Sequence, residues 1–260
     1  QAADGIRDCL LSRGLGDVYK RQVEEANRLV ALSEEELPGD EQRIDLAHLA
    51  TYSLDDSGTR EIDDALSLER RDGVNWIWIH IADPSRLIDI DSPLDQEARR
   101  RATSLYLAEG VMPMLPLELA AGPLSLRARQ RCAALSAAVH LDADGVVVEQ
   151  RIARSWIQPR YGLTYGDGDE LIELAPPGDE ALSDLSGLLM QRMRWRRSKG
   201  AVMFDRPEGR FRRSDGALTL QVIDPSPSRL MVSEAMLLMG AVVAGFGQEH
   251  SLPLPFRSQP

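Results

Sequence analysis

The chain has 260 residues, 43% of them hydrophobic, enough to bury a core in one large domain or two small ones. Its formal charge of −11 argues against simple electrostatic capture of nucleic acid, because such binders are normally basic. Two cysteines exclude a disulfide framework and fit a reducing cytoplasm, and neither a secretory signal nor a long apolar run points to a membrane.

Residues 1–22, Cys9 included, read as foreign to the domain. Asp17 to Gln22 matches one reading frame of a transposon-end sequencing adapter, so this stretch is expected to be an assembly scar, with a frayed N-terminal helix as the alternative. The natural reading then starts near Val23, with upstream domains missing. Val23, Ala26, Leu29, Val30 and Leu32 recur at helical spacing and predict a helix over 23–36, stopped before Pro38-Gly39; residues 23–42 are this helix and a linker.

The next stretch carries the chemistry. Asp55, Asp56, Glu61, Asp63 and Asp64 fall within ten residues, offset only by Arg60. Two like charges about 4 Å apart repel by ~4 kcal/mol at an effective dielectric of about 20, so a fold seldom gathers several without a cation. Oxygen donors without a neighbouring His or Cys suit a hard ion such as Mg²⁺, which keeps places open for phosphate oxygens. The competing reading is a solvated acidic loop. Leu54, Ile62, Ala65, Leu66 and Leu68 interleave the acids and favour a partly buried segment. If 61–66 were extended, Glu61 and Asp63 would face away from Asp64, and the four could share a site only where the backbone bends.

Trp76 to Ile81 alternates like a strand, Ile77, Ile79 and Ile81 facing away from Trp76, Trp78 and His80, with a turn at Gly73 before it. His48, His80, His140 and His250 show no ligand spacing, and His80 is expected to be packed or capped. Ser92-Pro-Leu-Asp95 opens a helix that runs to about Ala102, with Ser92 as N-cap. Val111–Leu117, with two prolines, reads as a structured loop. Leu135–Leu141 and Val146–Ile157 flank Asp142-Ala-Asp-Gly145, a hairpin signal. Leu182–Ser198 predicts a helix with Leu185, Leu188, Leu189 and Met193 inward. Phe204–Leu220 suggests short strands turning at Ser214-Asp-Gly216. Ser228–Gly247 reads as a buried helix packed closely at Gly240, Ala241, Ala244 and Gly245. Arg192, Arg194, Arg196, Arg197, Lys199, Arg206, Arg210, Arg212 and Arg213 surround Trp195, Phe204 and Phe211, either a solvated face or a track for phosphates.

Several of these segments together resemble the catalytic domain of the ribonuclease II and ribonuclease R exoribonucleases. The resemblance runs from Asp45–Leu66 through Ile79-His-Ile-Ala-Asp-Pro84, Tyr106, Met-Pro-Met-Leu-Pro116, Leu163-Thr-Tyr165, Lys199–Phe204 and Met231-Val-Ser-Glu-Ala-Met236, in the family's order, over residues 43–260. It implies an α+β fold with a mixed or antiparallel sheet and packed helices, cut short on its C-terminal side. It also implies 3′ to 5′ hydrolysis of single-stranded RNA to nucleoside 5′-monophosphates with Mg²⁺. The catalytic carboxylates would be Asp55, Glu61, Asp63 and Asp64: Asp55 and Asp64 as metal ligands, Asp63 positioning or deprotonating the water. Glu61 departs from the Asp of the archetypal motif. Tyr106 and Phe204 match aromatics that contact the 3′ nucleotides, and Tyr165 and Glu234 match positions implicated in ribose recognition.

The resemblance further implies a monomer without membrane association, flanked by a cold-shock-type domain upstream and an S1-type domain downstream. The family's phosphate-contacting Arg lies beyond Pro260, and Leu252–Arg257 resembles the strand leading to it. The isolated piece is therefore expected to be poorly stable. Two alternatives stand beside this reading: a catalytically inactive RNA-binding module, and another carboxylate-metal phosphoesterase acting on DNA or small phosphate esters.

Overall fold

Residues 74–82 form a strand because β-branched and aromatic side chains dominate them, whereas 64–71 and 132–141, rich in Leu, Ala and polar residues, take strand form by pairing with it. The computed structural model describes residues 16–107, 110–203, 207–214 and 217–256. Its strands are β1 (Ile44–Asp45), β2 (Thr51–Asp55), β3 (Asp64–Arg71), β4 (Val74–Ala82), β5 (Leu105–Leu107), β6 (Gly110–Met112), β7 (Cys132–Leu141), β8 (Val147–Ile157), β9 (Tyr161–Thr164), β10 (Glu208–Ser214) and β11 (Ala217–Ile223). Its α-helices are α1 (Gly16–Leu32), α2 (Pro93–Arg101), α3 (Leu117–Ala120), α4 (Tyr165–Leu174), α5 (Glu180–Ser198) and α6 (Pro227–Glu249). The fold is α+β. Two compact units share it, each assembled from separated stretches: 1–41, 83–125 and 206–224 in one, and 42–82, 126–205 and 225–260 in the other.

The larger unit is built on a seven-stranded mixed sheet in the order β1-β8-β7-β4-β3-β2-β9. β1 runs parallel to β8 and β9 parallel to β2, while the neighbours between β8 and β2 are antiparallel. Asp72 and Gly73 join β3 to β4 with φ of 55° and 75°, the left-handed pair a two-residue hairpin requires. The β7–β8 hairpin closes as expected at Asp142–Gly145, where Asp142 Oδ1 accepts the Asp144 and Val146 N–H groups.

Period-two alternation gives the sheet two buried faces. On one, Tyr52, Leu54, Leu66, Ile77, Ile79 and Val139 pack with Leu185 and Leu189 of α5 and Met231 and Leu238 of α6. The other buries Ala65, Trp76, Trp78, Ala134 and Ile157. The Ile and Trp sets of β4 thus part as the sequence predicts. Through the second face runs a polar chain with one side chain from each of five adjacent strands. Thr51 Oγ1 lies 2.7 Å from Ser67 Oγ, Ser67 Oγ lies 2.8 Å from His80 Nε2, His80 Nδ1 lies 2.7 Å from Ser136 Oγ, and Ser136 Oγ lies 2.6 Å from Ser155 Oγ. All five are fully buried. Such groups hold in a core because each has a partner.

The smaller unit centres on Ala26, Leu29, Leu87, Leu94, Leu119 and Leu124. Its buried ion pair is bidentate: Arg86 Nε donates to Asp40 Oδ1 (2.9 Å) and NH2 to Oδ2 (2.8 Å), while NH1 reaches the Ser33 carbonyl (3.1 Å). Ser92 caps α2 as its sequence implies, accepting from Asp95 N, and the Asp95 carboxylate turns back to the Asp91 N–H.

Four expectations need correction. The helix expected over 23–36 spans Gly16–Leu32. The stretch read as loop at 111–117 contributes β6, paired with β5, and opens α3, because local pairing satisfies backbone that its prolines leave free. In α6, Gly240 and Ala241 face outward; the close approach is at Gly247, where a Cβ would meet Leu254 Cδ1 at 2.5 Å. The Arg-rich stretch is partly turned inward: Arg192 is buried, stacks 3.9 Å from the Trp195 ring and donates to the Gly145 carbonyl at 3.0 Å. By length and composition α6 could cross a membrane, yet Met231, Val232, Ala235, Leu238, Met239 and Val242 on it belong to the first core.

Candidate active site

Strand ends gather the acids. Asp55 ends β2 and Asp64 begins β3, and the antiparallel register Thr51↔Ser67, Tyr52↔Leu66 carries both toward the same end of the sheet. Between them the chain is irregular. Asp56–Thr59 forms a turn in which Asp55 Oδ1 accepts the Asp56 N–H (2.6 Å) and the Thr59 hydroxyl (2.9 Å), with Gly58 at φ 91°. The Ile62 carbonyl accepts from Leu126 N (2.8 Å) and the Asp63 carbonyl from Ala82 N (2.8 Å), pinning the run before β3. The bend that the acids needed is therefore present. It frees Glu61 and Asp63 from strict strand alternation.

The carboxyls sense one another. Burial, then the charges of Asp55 and Asp63, push the Asp64 carboxyl up to about 7. Asp63 is exposed, and its carboxyl is nonetheless raised by the protein bulk around it and by Asp55. Glu61, half-buried, is raised by burial and then by Asp63. Oxygen-only donors, coupled strongly enough for one to hold a proton near neutrality, fit a hard divalent ion. Among the described residues no group of three or more His, Cys, Asp or Glu side chains is placed to hold a metal. The fit is therefore to an ion held by one or two carboxylates and completed by water, as Mg²⁺ commonly is.

This arrangement costs stability in a way that can be measured. The folded Asp64 carboxyl titrates above its ordinary 3.8, so without metal the folded state loses stability as pH rises from 3.8 to about 7, and bears the full cost above that. With divalent ions chelated, Asp64→Asn should stabilise the chain against urea at pH 8 by on the order of 3 kcal/mol. At pH 4 the gain should vanish; an equal gain at both pH values would refute the coupling.

A parallel pairing completes the site. β9 lies beside β2 with Asp55 opposite Thr164, so Tyr165, the next residue and the first of α4, arrives at the acidic end. Thr164 caps that helix in a reciprocal box with Asp167. Burial and the Asp55 and Asp64 charges raise the Tyr165 phenol to about 12, against the opposing effect of Arg229. The Arg229 guanidinium stacks 4.0 Å from the Tyr165 ring centre and pairs with the Asp56 carboxylate. Arg229 does not emerge from the sequence as a candidate, and Asp56, one of the five crowded acids, has no role assigned by it. The available signal was a cation in the first turn of an apolar helix, where the dipole disfavours it.

The remaining sequence candidates are Glu234, Tyr106, Phe204 and the histidines. Glu234 is buried and held by Arg196 in a bidentate pair, Nε to Oε1 at 2.8 Å and NH2 to Oε2 at 2.6 Å. Tyr106 lies on β5 in the smaller unit, 70% exposed. Phe204 lies outside the described residues. His80, set aside as a ligand, is bonded within the sheet core.

The model of the RNB domain matches residues 43–260, more than half the chain. The chain belongs to the RNB-domain family. It is 46% identical to a ribonuclease of Synechocystis sp. over 223 residues, which make up 85% of this chain and 34% of the relative. To the chloroplastic/mitochondrial ribonuclease II of Arabidopsis thaliana it is 40% identical, over 84% of this chain and 28% of the relative. It thus spans about a third of the length of these curated relatives. Among solved structures, RNase R of Mycoplasma genitalium in complex with ribose-methylated single-stranded RNA superposes with a TM-score of 0.82 at 19% identity, covering 93% of this chain and 38% of that one. The likeness is one of fold. The matched stretch 43–260 includes the strand ends that carry Asp55 and Asp64.

Proposed function

We propose that this RNB domain forms part of a 3′ to 5′ exoribonuclease that hydrolyses single-stranded RNA to nucleoside 5′-monophosphates with Mg²⁺. The observation that carries the reading is the coupled trio Asp55, Asp63 and Asp64 at one sheet end, with Tyr165 beside it, in a chain of a ribonuclease family. Asp55 and Asp64 would hold the ion, which when bound would supply Lewis acidity and neutralise charge at the phosphate. Asp63, exposed and raised, orients the attacking water and accepts its proton at a carboxylate oxygen. Glu61 supports Asp63, its extra methylene suiting contact through water. Tyr165 meets the ribose, and Tyr106 and Phe204 offer rings to the 3′ bases, a contact worth ~1–3 kcal/mol per base. Whole-protein partners under this reading are single-stranded RNA and flanking cold-shock- and S1-type domains. A cytoplasmic, reducing setting agrees with the buried thiol of Cys132, which donates to the Gln130 carbonyl at 3.4 Å.

A rival reading is an RNA-binding module without turnover, favoured by Glu61 and by the lack of a three-carboxylate cluster among the described residues. One assay separates the two. Single-stranded RNA labelled at its 5′ end is incubated with this chain in its native gene context, with and without Mg²⁺. Stepwise shortening with release of 5′-monophosphates only when Mg²⁺ is present is the expected result. Binding without any product would establish the rival, and equal cleavage of DNA would favour a general phosphoesterase.

A further inference from the structure

We infer that Arg229 is a positioning residue that fixes the Tyr165 ring against the turn carrying Asp55, so that ribose recognition and the carboxylates are held as one unit. The inference rests on the exoribonuclease reading for the role of Tyr165, and on geometry for the role of Arg229. Ser228 ties the first turn of α6 to the N-terminal part of α4. Ser228 Oγ donates to the Tyr165 carbonyl at 2.8 Å, and Ser228 N donates to Asp169 Oδ1 at 2.8 Å. A Cβ on Gly168 would meet Ser228 Cβ at 3.2 Å and Leu54 Cδ2 at 2.5 Å, so the two turns and β2 close on one another without space to slide.

From this junction Arg229 reaches in two directions. Its flat guanidinium covers the Tyr165 ring at 4.0 Å, and its NH2 meets Asp56, the residue after Asp55. A planar plate fixes both the tilt and the height of the phenol, which an ammonium cannot do. The ion pair offsets a cation placed at the positive end of α6. Glu234, the other candidate for the ribose, is engaged by Arg196.

The test uses the 260-residue chain with ring-labelled tyrosine, the Tyr165 signals assigned through Tyr165→Phe, and two probes: a short oligoribonucleotide and its counterpart with 2′-deoxyribose at the 3′-terminal nucleotides. In Arg229→Gln the Tyr165 ring signals should shift, and the ribose-to-deoxyribose affinity ratio should fall about tenfold, the scale of a part-desolvated cation–π contact. Arg229→Lys keeps a charge for Asp56 but loses the plate. It should lower the same ratio while leaving thermal unfolding unchanged, which a merely structural role would not produce. Combining Arg229→Lys with Tyr165→Phe should lower the ratio no further than Tyr165→Phe alone. Unmoved ring signals, or an unchanged ratio in both Arg229 variants, would overturn the inference. Absence of any ribose preference in the unaltered chain would instead overturn the exoribonuclease reading, and the inference with it.

Discussion

Under the exoribonuclease reading, Asp63→Asn should lower hydrolysis of single-stranded RNA by about 10³-fold and leave RNA affinity within about twofold, the loss typical of removing a positioned proton acceptor. Asp63 suits this role better than its neighbours do. It is exposed to the solvent from which a water must come, whereas Asp64 is recessed at the start of β3 and Asp55 is engaged by Asp56 N and Thr59. Its carboxyl, raised by its surroundings and by Asp55, is a stronger base than a free carboxylate. The substitution removes charge but not volume, so the fold and the pinning Asp63 carbonyl stay. Rate and affinity are measured on the same RNA, the first by single-turnover product release and the second by equilibrium binding with chelator. A rate within a few-fold of the parent removes Asp63 from the chemistry, whereas a parallel loss of affinity makes it a binding group.

The second large effect is on stability. His80→Ala should destabilise the chain by about 3–5 kcal/mol at pH 7, since it opens a cavity in the sheet and leaves the Ser67 and Ser136 hydroxyls with only their bonds to Thr51 and Ser155. Burial lowers the imidazole to about 3 from an ordinary 6.5. Because the folded value lies below the unfolded one, the unfolded chain binds the proton first, and stability falls as pH drops from 6.5 toward 3. The parent therefore loses about 1.4 kcal/mol per pH unit in that window from this residue, and the alanine variant does not. Urea unfolding of both chains between pH 7 and pH 4 should show the gap between them closing. A constant gap means that His80 is not held neutral by the core.

Legibility in the sequence followed the range of the interaction. Asp72-Gly73, Asp142–Gly145 and the Ser92 cap could be placed from single short segments, since each is a turn or cap whose donors and acceptors lie within four residues. The two-faced strand Trp76–Ile81 was equally plain, because pleating alone sends alternate side chains to opposite cores. Glu234 shows the opposite case: a lone acid in an apolar helix reads as exposed or functional, and its partner Arg196 lies 38 residues away on another helix. Close packing in α6 was misplaced for the same reason, as only the returning Leu254 selects Gly247 over Gly240.

The family, the α+β class and the crowd of acids around position 60 follow from motif order, periodicity and like charge, which are properties of the chain as written. Tertiary structure alone decided which of those acids act on one another and which outsiders join them. Parallel pairing of β2 with β9 sets Asp55 opposite Thr164, and docking of α6 on α4 brings Arg229 over Tyr165. Such approaches depend on strand register and helix packing between segments more than a hundred residues apart for β2–β9 and about sixty for α4–α6, where no local propensity reaches.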